Sequence, residues 1–139
     1  MKKSFLLLLI VLFCLLSPAW AGSYQYISSA DTRDNLNNKV PMALIDIQVE
    51  EEFNQHHLPN ALATYAYPVK SDADKSRIDA FLPQLKESSE IVVVVCPRGG
   101  GGAKRAYDHL EKQGIASERL FILEKGQQGW PYPELLAQK

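Results

Sequence analysis

At 139 residues the chain has room for one domain with its own hydrophobic core. With 15 basic against 16 acidic side chains and a formal net charge of −1, it lacks the basic stripe and aromatic ladder of a nucleic-acid binder. Only two cysteines are present, Cys14 and Cys96, which excludes a multi-disulfide scaffold.

Taken in chain order, the first segment reads as an export signal rather than as fold. Lys2 and Lys3 form a positive start, and Phe5 to Leu16 is an apolar run too short to span a bilayer comfortably. Ala19-Trp20-Ala21 has the small-x-small pattern of a signal-peptidase site, so residues 1–21 are expected to leave and 22–139 to form the domain. The competing reading is a retained membrane anchor. Phe13 precedes Cys14 where lipidation requires a small residue, so Cys14 is expected to leave with the signal. The mature chain would be periplasmic or secreted, with no membrane contact, and Cys96 would be its single thiol.

Tyr24 to Ile27 suits a short edge strand and Asp31 to Asn38 a weak helix. Ala43-Leu44-Ile45-Asp46-Ile47 is an apolar strand carrying one acid, and Glu50 to Gln55 a helical turn with three acids at its favoured N-terminal end. Pro59-Asn60 marks a turn, and Ala61 to Tyr65 suits another strand. Ile78, Phe81, Leu82 and Leu85 form an i, i+3, i+4, i+7 stripe, which Pro83 must kink or end near Leu82. Ile91 to Val95 is the most apolar run of the domain. Ala103, Ala106, Tyr107 and Leu110 repeat the helical stripe, with Gly114 as a stop. Leu120 to Leu123 is the last strand, followed by the loop Gly126 to Gly129 and by Trp130. Strands alternating with helices predict an α/β fold with a mainly parallel sheet.

Cys96 stands between the Ile91–Val95 strand and the glycine-rich loop Pro97-Arg98-Gly99-Gly100-Gly101-Gly102, with the patterned helix next. That order aims backbone N–H groups at the sulfur, and glycines let the chain curl to do so. Cys96 therefore reads as a nucleophile, with the amides of Gly99, Gly100, Gly101, Gly102 and Ala103 as its anion cradle and Arg98 as the charge within the loop. A buried, inert core thiol is the competing reading. The glycine run fits neither a Walker loop nor G-x-G-x-x-G, because Lys104 follows Ala103 directly. His56 and His57 are adjacent and cannot share one face of a regular element, so no metal site is expected there. Asp46 reads as a backbone-bonding acid at a strand end. Lys104 and Arg105 read as a solvated helix face more than as anion binders, and Trp130 as a core or lid aromatic.

Three segments together resemble the rhodanese-like domains. The family's L-I-D-V-R, E-F and G-H-I-P-G-A correspond to Leu44-Ile45-Asp46-Ile47-Gln48, Glu52-Phe53 and His56-His57-Leu58-Pro59-Asn60-Ala61. Its strand, active cysteine, loop and helix correspond to Val95-Cys96 through Leu110. Its L-x-G-G-x-x-x-W corresponds to Leu123-Glu124-Lys125-Gly126-Gln127-Gln128-Gly129-Trp130. The resemblance implies a three-layer fold, a central mainly parallel sheet flanked by helices. It also implies a sulfurtransferase that moves a sulfane sulfur from thiosulfate, a persulfide or a polysulfide to a thiophilic acceptor, through a persulfide on Cys96. The acceptor would be cyanide or a thiol, including a protein thiol, and no cofactor is implied.

The loop departs from the common C-x-x-x-x-R pattern. Counted back from Leu110 it holds one extra residue, Cys96 to Gly102, as in the C-x5-R loops of the family's phosphatases and arsenate reductases. Gly102 stands where their arginine would, so phosphoryl chemistry lacks its bidentate clamp. Oxyanion chemistry and a non-enzymatic carrier or sensor of sulfur, selenium or tellurium species are the alternatives. Gln48 replaces the arginine after the family's D-V, which puts a family salt bridge in doubt.

Overall fold

A computed structural model describes residues 23–137; the expected signal segment, with Cys14 and the cleavage site, lies outside the described residues. Five strands form one all-parallel sheet in the order β1-β5-β4-β2-β3: β1 is Tyr26–Ile27, β2 Met42–Asp46, β3 Leu62–Ala63, β4 Ile91–Val95 and β5 Leu120–Leu123. Helices α1 (Ser29–Asn37), α2 (Glu50–Gln55), α3 (Asp72–Asp79), α4 (Leu82–Glu87) and α5 (Gly101–Lys112) supply the crossovers that parallel pairing requires.

β4 is the central strand, and its composition explains why. It pairs with β2 on one side and β5 on the other. Its two faces meet two separate cores, so every position must be apolar rather than every second one. Val92 and Val94 enter the core beneath α5, with Ala103, Ala106, Tyr107 and Leu110. Val93 and Val95 enter the opposite core, with Leu44, Leu58 and Leu123. All four valines are fully buried. At about 1.5–3 kcal/mol for each such side chain, β4 is anchored on both faces, and so is the residue that follows it. Cys96 continues the alternation and falls on the α5 side.

Local chemistry sets the helix starts. Ser28 caps α1 by accepting from the Asp31 amide, and Ser71 with Asp74 forms a reciprocal capping box on α3. Pro83 does not kink one helix. It separates two, with α3 ending at Asp79 and the proline in the first turn of α4, where a missing N–H costs nothing. Helix α5 begins at Gly101, two residues before the apolar stripe that starts at Ala103, and no side chain caps it. Gly114 ends the segment with φ +100°, as a left-handed stop requires.

Candidate active site

The sheet's central strand delivers Cys96 to its carboxyl end, the position where open parallel sheets hold their ligands. The thiol is only 2 % exposed. The amide of Gly99 donates to Sγ at 2.8 Å, which requires the chain to reverse within three residues. Gly99 does this with φ +72°, a conformation that side chains oppose.

Helix α5 begins immediately beyond. Lys104 N–H makes the first bond back along the helix, to Gly100 O at 3.1 Å. The amides of Gly101, Gly102 and Ala103 precede it and so have no intrahelical acceptor. Neither a capping side chain nor an acidic residue in the first turn neutralises them. The sulfur therefore lies in a loop that ends on the positive end of a helix dipole, an arrangement that stabilises negative charge on sulfur and on an incoming anion.

A second loop, just past β5, holds the first in shape. The Gln127 amide donates to the Cys96 carbonyl at 2.8 Å, and the Gln128 amide to the Pro97 carbonyl at 2.9 Å. Gly126, with φ +62°, presses against the same backbone: a Cβ there would stand 2.6 Å from Arg98 N and 2.7 Å from Gly99 N. Gly126 was legible only as part of a motif, and nothing local marks it or the two glutamine amides as parts of the cysteine site.

The candidate site residues divide into three groups. Cys96 and Gly99 meet directly, and Gly101, Gly102 and Ala103 form the helix start that follows. Two residues of the seven expected in the loop, Gly101 and Gly102, are thus already helical. Gly102 is buried, and a Cβ on it would come within 2.9 Å of the Tyr67 ring and 3.4 Å of Ile47. The place of a C-x5-R arginine is therefore filled by packing. Gly100 has open space where a side chain would stand. Arg98 is exposed and forms no ion pair among the described residues.

Arg105 departs from the expected solvated helix face. It is half-buried, and its Nε–H donates to the Pro68 carbonyl at 2.9 Å. It also lines a cleft of about 600 Å³ between α3 and α5, whose lining mixes Lys70, Lys75 and His109 with Asp72, Asp79 and Asp108.

The remaining candidates are structural. His57 stacks on Phe53 with ring centroids 3.9 Å apart, and its Nδ1 lies 2.8 Å from the Phe53 carbonyl. Trp130 packs on the second core and donates its indole N–H to the Tyr132 carbonyl at 2.9 Å. Asp46 is fully buried; it accepts from the Gln48 amide at 2.9 Å and from Gln48 Nε2 at 3.0 Å. Gln48 thus brings hydrogen-bond donors but no positive charge to this acid. Burial pushes the Asp46 carboxyl up to about 7, against the lowering effect of the two Gln48 bonds.

Fold and site together define an α/β domain that holds a buried thiol, bonded by the Gly99 amide, at the end of a parallel sheet. The chain belongs to the rhodanese-like domain family, whose model matches residues 28–131. Solved structures agree at the level of fold. A rhodanese-like domain protein from Staphylococcus aureus is 25 % identical with a TM-score of 0.58, covering 83 % of this chain and 98 % of that one. An As-Sb reductase from Leishmania major is 20 % identical with a TM-score of 0.63, covering 84 % and 87 %. A thiosulfate sulfurtransferase from Pseudomonas aeruginosa is 19 % identical with a TM-score of 0.61; the match covers 84 % of this chain but 20 % of that one. A search among curated proteins found no match.

Proposed function

We propose that this protein is a sulfurtransferase whose carrier is a persulfide on Cys96. One observation carries the reading: in a rhodanese-like domain, Sγ accepts the Gly99 amide at the uncapped head of α5. The Cys96 thiolate attacks the outer sulfur of thiosulfate. The new S–S bond forms as the old one breaks, and sulfite leaves with the bonding pair. The terminal sulfur of the persulfide then carries the negative charge, and the loop amides stabilise it. A cyanide or thiolate acceptor attacks that sulfur and releases the Cys96 thiolate. Persulfides and polysulfides serve as donors by the same exchange.

Mass spectrometry tests the first half. Treatment with thiosulfate should add about 32 Da to the Cys96 peptide, the mass of one sulfur atom, and cyanide should remove it. Turnover with both substrates separates an enzyme from a carrier that binds sulfur without passing it on. An arsenate- or phosphate-reactive loop is the poorer reading, because Tyr67 and Ile47 occupy the surroundings of Gly102. Export belongs to the same proposal: N-terminal sequencing should find Gly22 first, and an intact Met1 in membrane fractions would show an anchor instead.

A further inference from the structure

We infer that Arg105 selects anionic sulfur donors at Cys96, by holding its guanidinium over Gly101 at the rim of the cysteine loop. The inference rests on the sulfur-transfer reading and names a specificity residue for it. The guanidinium is fixed from behind, because Nε–H is committed to the Pro68 carbonyl at 2.9 Å. Nη1 then lies 3.0 Å from where a Cβ on Gly101 would stand, with Cζ and Nη2 at 3.7 Å. Any side chain at 101 would displace it, so glycine there makes room for the arginine. Gly101 is two residues beyond Gly99, whose amide holds Sγ. Their Cα atoms are therefore at most about 7.6 Å apart. The η nitrogens thus stand beside the helical end of the loop whose other end holds Sγ.

Charge gives the arrangement its direction. Cations favour helix C-termini, and this one sits at the N-terminus of α5, beside amides that are themselves positive. The ion pairs among the described residues are Arg33–Asp34 and His109–Asp79, so no carboxylate within 4.0 Å offsets Arg105. Asp72, Asp79 and Asp108 line the same cleft without pairing with Arg105, so among the described residues its η nitrogens keep their donors for an anion. The planar fork can meet two oxygens of a sulfonate-like group at once. Neighbouring cations are less suited to this. Arg98 is exposed with no ion pair among the described residues, and Lys104 lies over the Tyr24 ring, its Nζ 5.6 Å from the centroid.

Two small alkylating agents differing by one negative charge test this without sulfur transfer. Iodoacetate and iodoacetamide rates are measured on the Cys96 peptide of the full chain, in wild type, Arg105→Gln and Arg105→Lys. Arg105→Gln should slow iodoacetate about tenfold, the worth of one charge-assisted hydrogen bond, and leave iodoacetamide within about twofold. Arg105→Lys, which keeps the charge and loses the fork, should fall between. The KM for thiosulfate should rise about tenfold in Arg105→Gln, with kcat within about twofold. Equal slowing of both agents would reduce Arg105 to a structural anchor of Pro68 and overturn the inference. So would a larger shift of the iodoacetate-to-iodoacetamide ratio in Arg98→Gln. A wild type whose charge preference depends on Arg105 but which takes no sulfur from thiosulfate would uphold the anion selector and end the sulfur-transfer reading.

Discussion

Gly99 and Gly126 stand face to face across the floor of the site, each in a positive-φ conformation and each occupying the space where the other's side chain would need to be. A Cβ on Gly99 would lie 3.1 Å from Lys125 N and 3.3 Å from Gly126 N, and one on Gly126 would lie 2.7 Å from Gly99 N. This contact lets the Gln127 and Gln128 amides reach the carbonyls of Cys96 and Pro97. The loop past β5 therefore shapes the loop past β4, and the cysteine's amide bond depends on both.

Gly126→Ala should consequently damage site and fold together. Its methyl group meets backbone that cannot rotate away, at a φ of +62°. A loss above about 2 kcal/mol in urea unfolding is expected, with persulfide formation abolished. Gly100→Ala, which meets no atom within 4 Å, should cost less than half as much. Equal losses would show that the two loops do not depend on each other in this way.

Cys96→Ser should separate chemistry from packing. The hydroxyl can still accept the Gly99 amide in the same buried position, so stability should fall by no more than about 2 kcal/mol. Sulfur transfer should drop to the uncatalysed background, because oxygen forms no persulfide. Retained activity would move the reaction away from this residue.

Gly102→Arg tests the oxyanion reading. It recreates C-x5-R in sequence, but Tyr67 Cε2 stands 2.9 Å from the first added carbon. A loss of about 1–3 kcal/mol from overpacking is expected, without a gain in phosphate or arsenate binding by calorimetry. Tight binding of either anion by this variant would restore the oxyanion reading.

The Asp46–Gln48 pair makes stability depend on pH. The carboxyl rises from 3.8 to about 7 on folding, because burial opposes its charge and Gln48 supplies hydrogen bonds but no cation. Between those values the folded state holds a proton that the unfolded chain has lost. The stability this group contributes should therefore be greatest below about pH 4 and be lost as pH rises through 7, by at most about 4 kcal/mol. Gln48→Arg places a guanidinium beside the acid and should flatten that decline, giving a variant more stable than wild type at pH 8. Urea unfolding at pH 5 and pH 8 measures it; wild-type stability that rises over this interval would contradict it.

What the amino-acid sequence determined by itself was whatever has a local cause. The valine run specifies a strand buried on both faces, the three glutamates favour the start of a helix at Glu50, and Leu120 to Leu123 read as a strand to the residue. The order of strand, cysteine, glycines and helix set Cys96 beside the Gly99 amide and the head of α5, because those groups are its neighbours in the chain. Local propensity misplaced the head of α5: glycine is a poor helix former, yet Gly101 and Gly102 are helical. Burial of Gly102 against Tyr67 and Ile47 compensates for that preference. The clamp on the cysteine loop, Tyr67 over Gly102 and the anchoring of Arg105 by Pro68 were decided only by tertiary structure. Each joins segments distant in the chain, 31 residues from Cys96 to Gln127, 35 from Tyr67 to Gly102 and 37 from Pro68 to Arg105. Spacing along one segment fixes which residues share a face, but only the assembled sheet fixes which distant backbone atoms that face will meet.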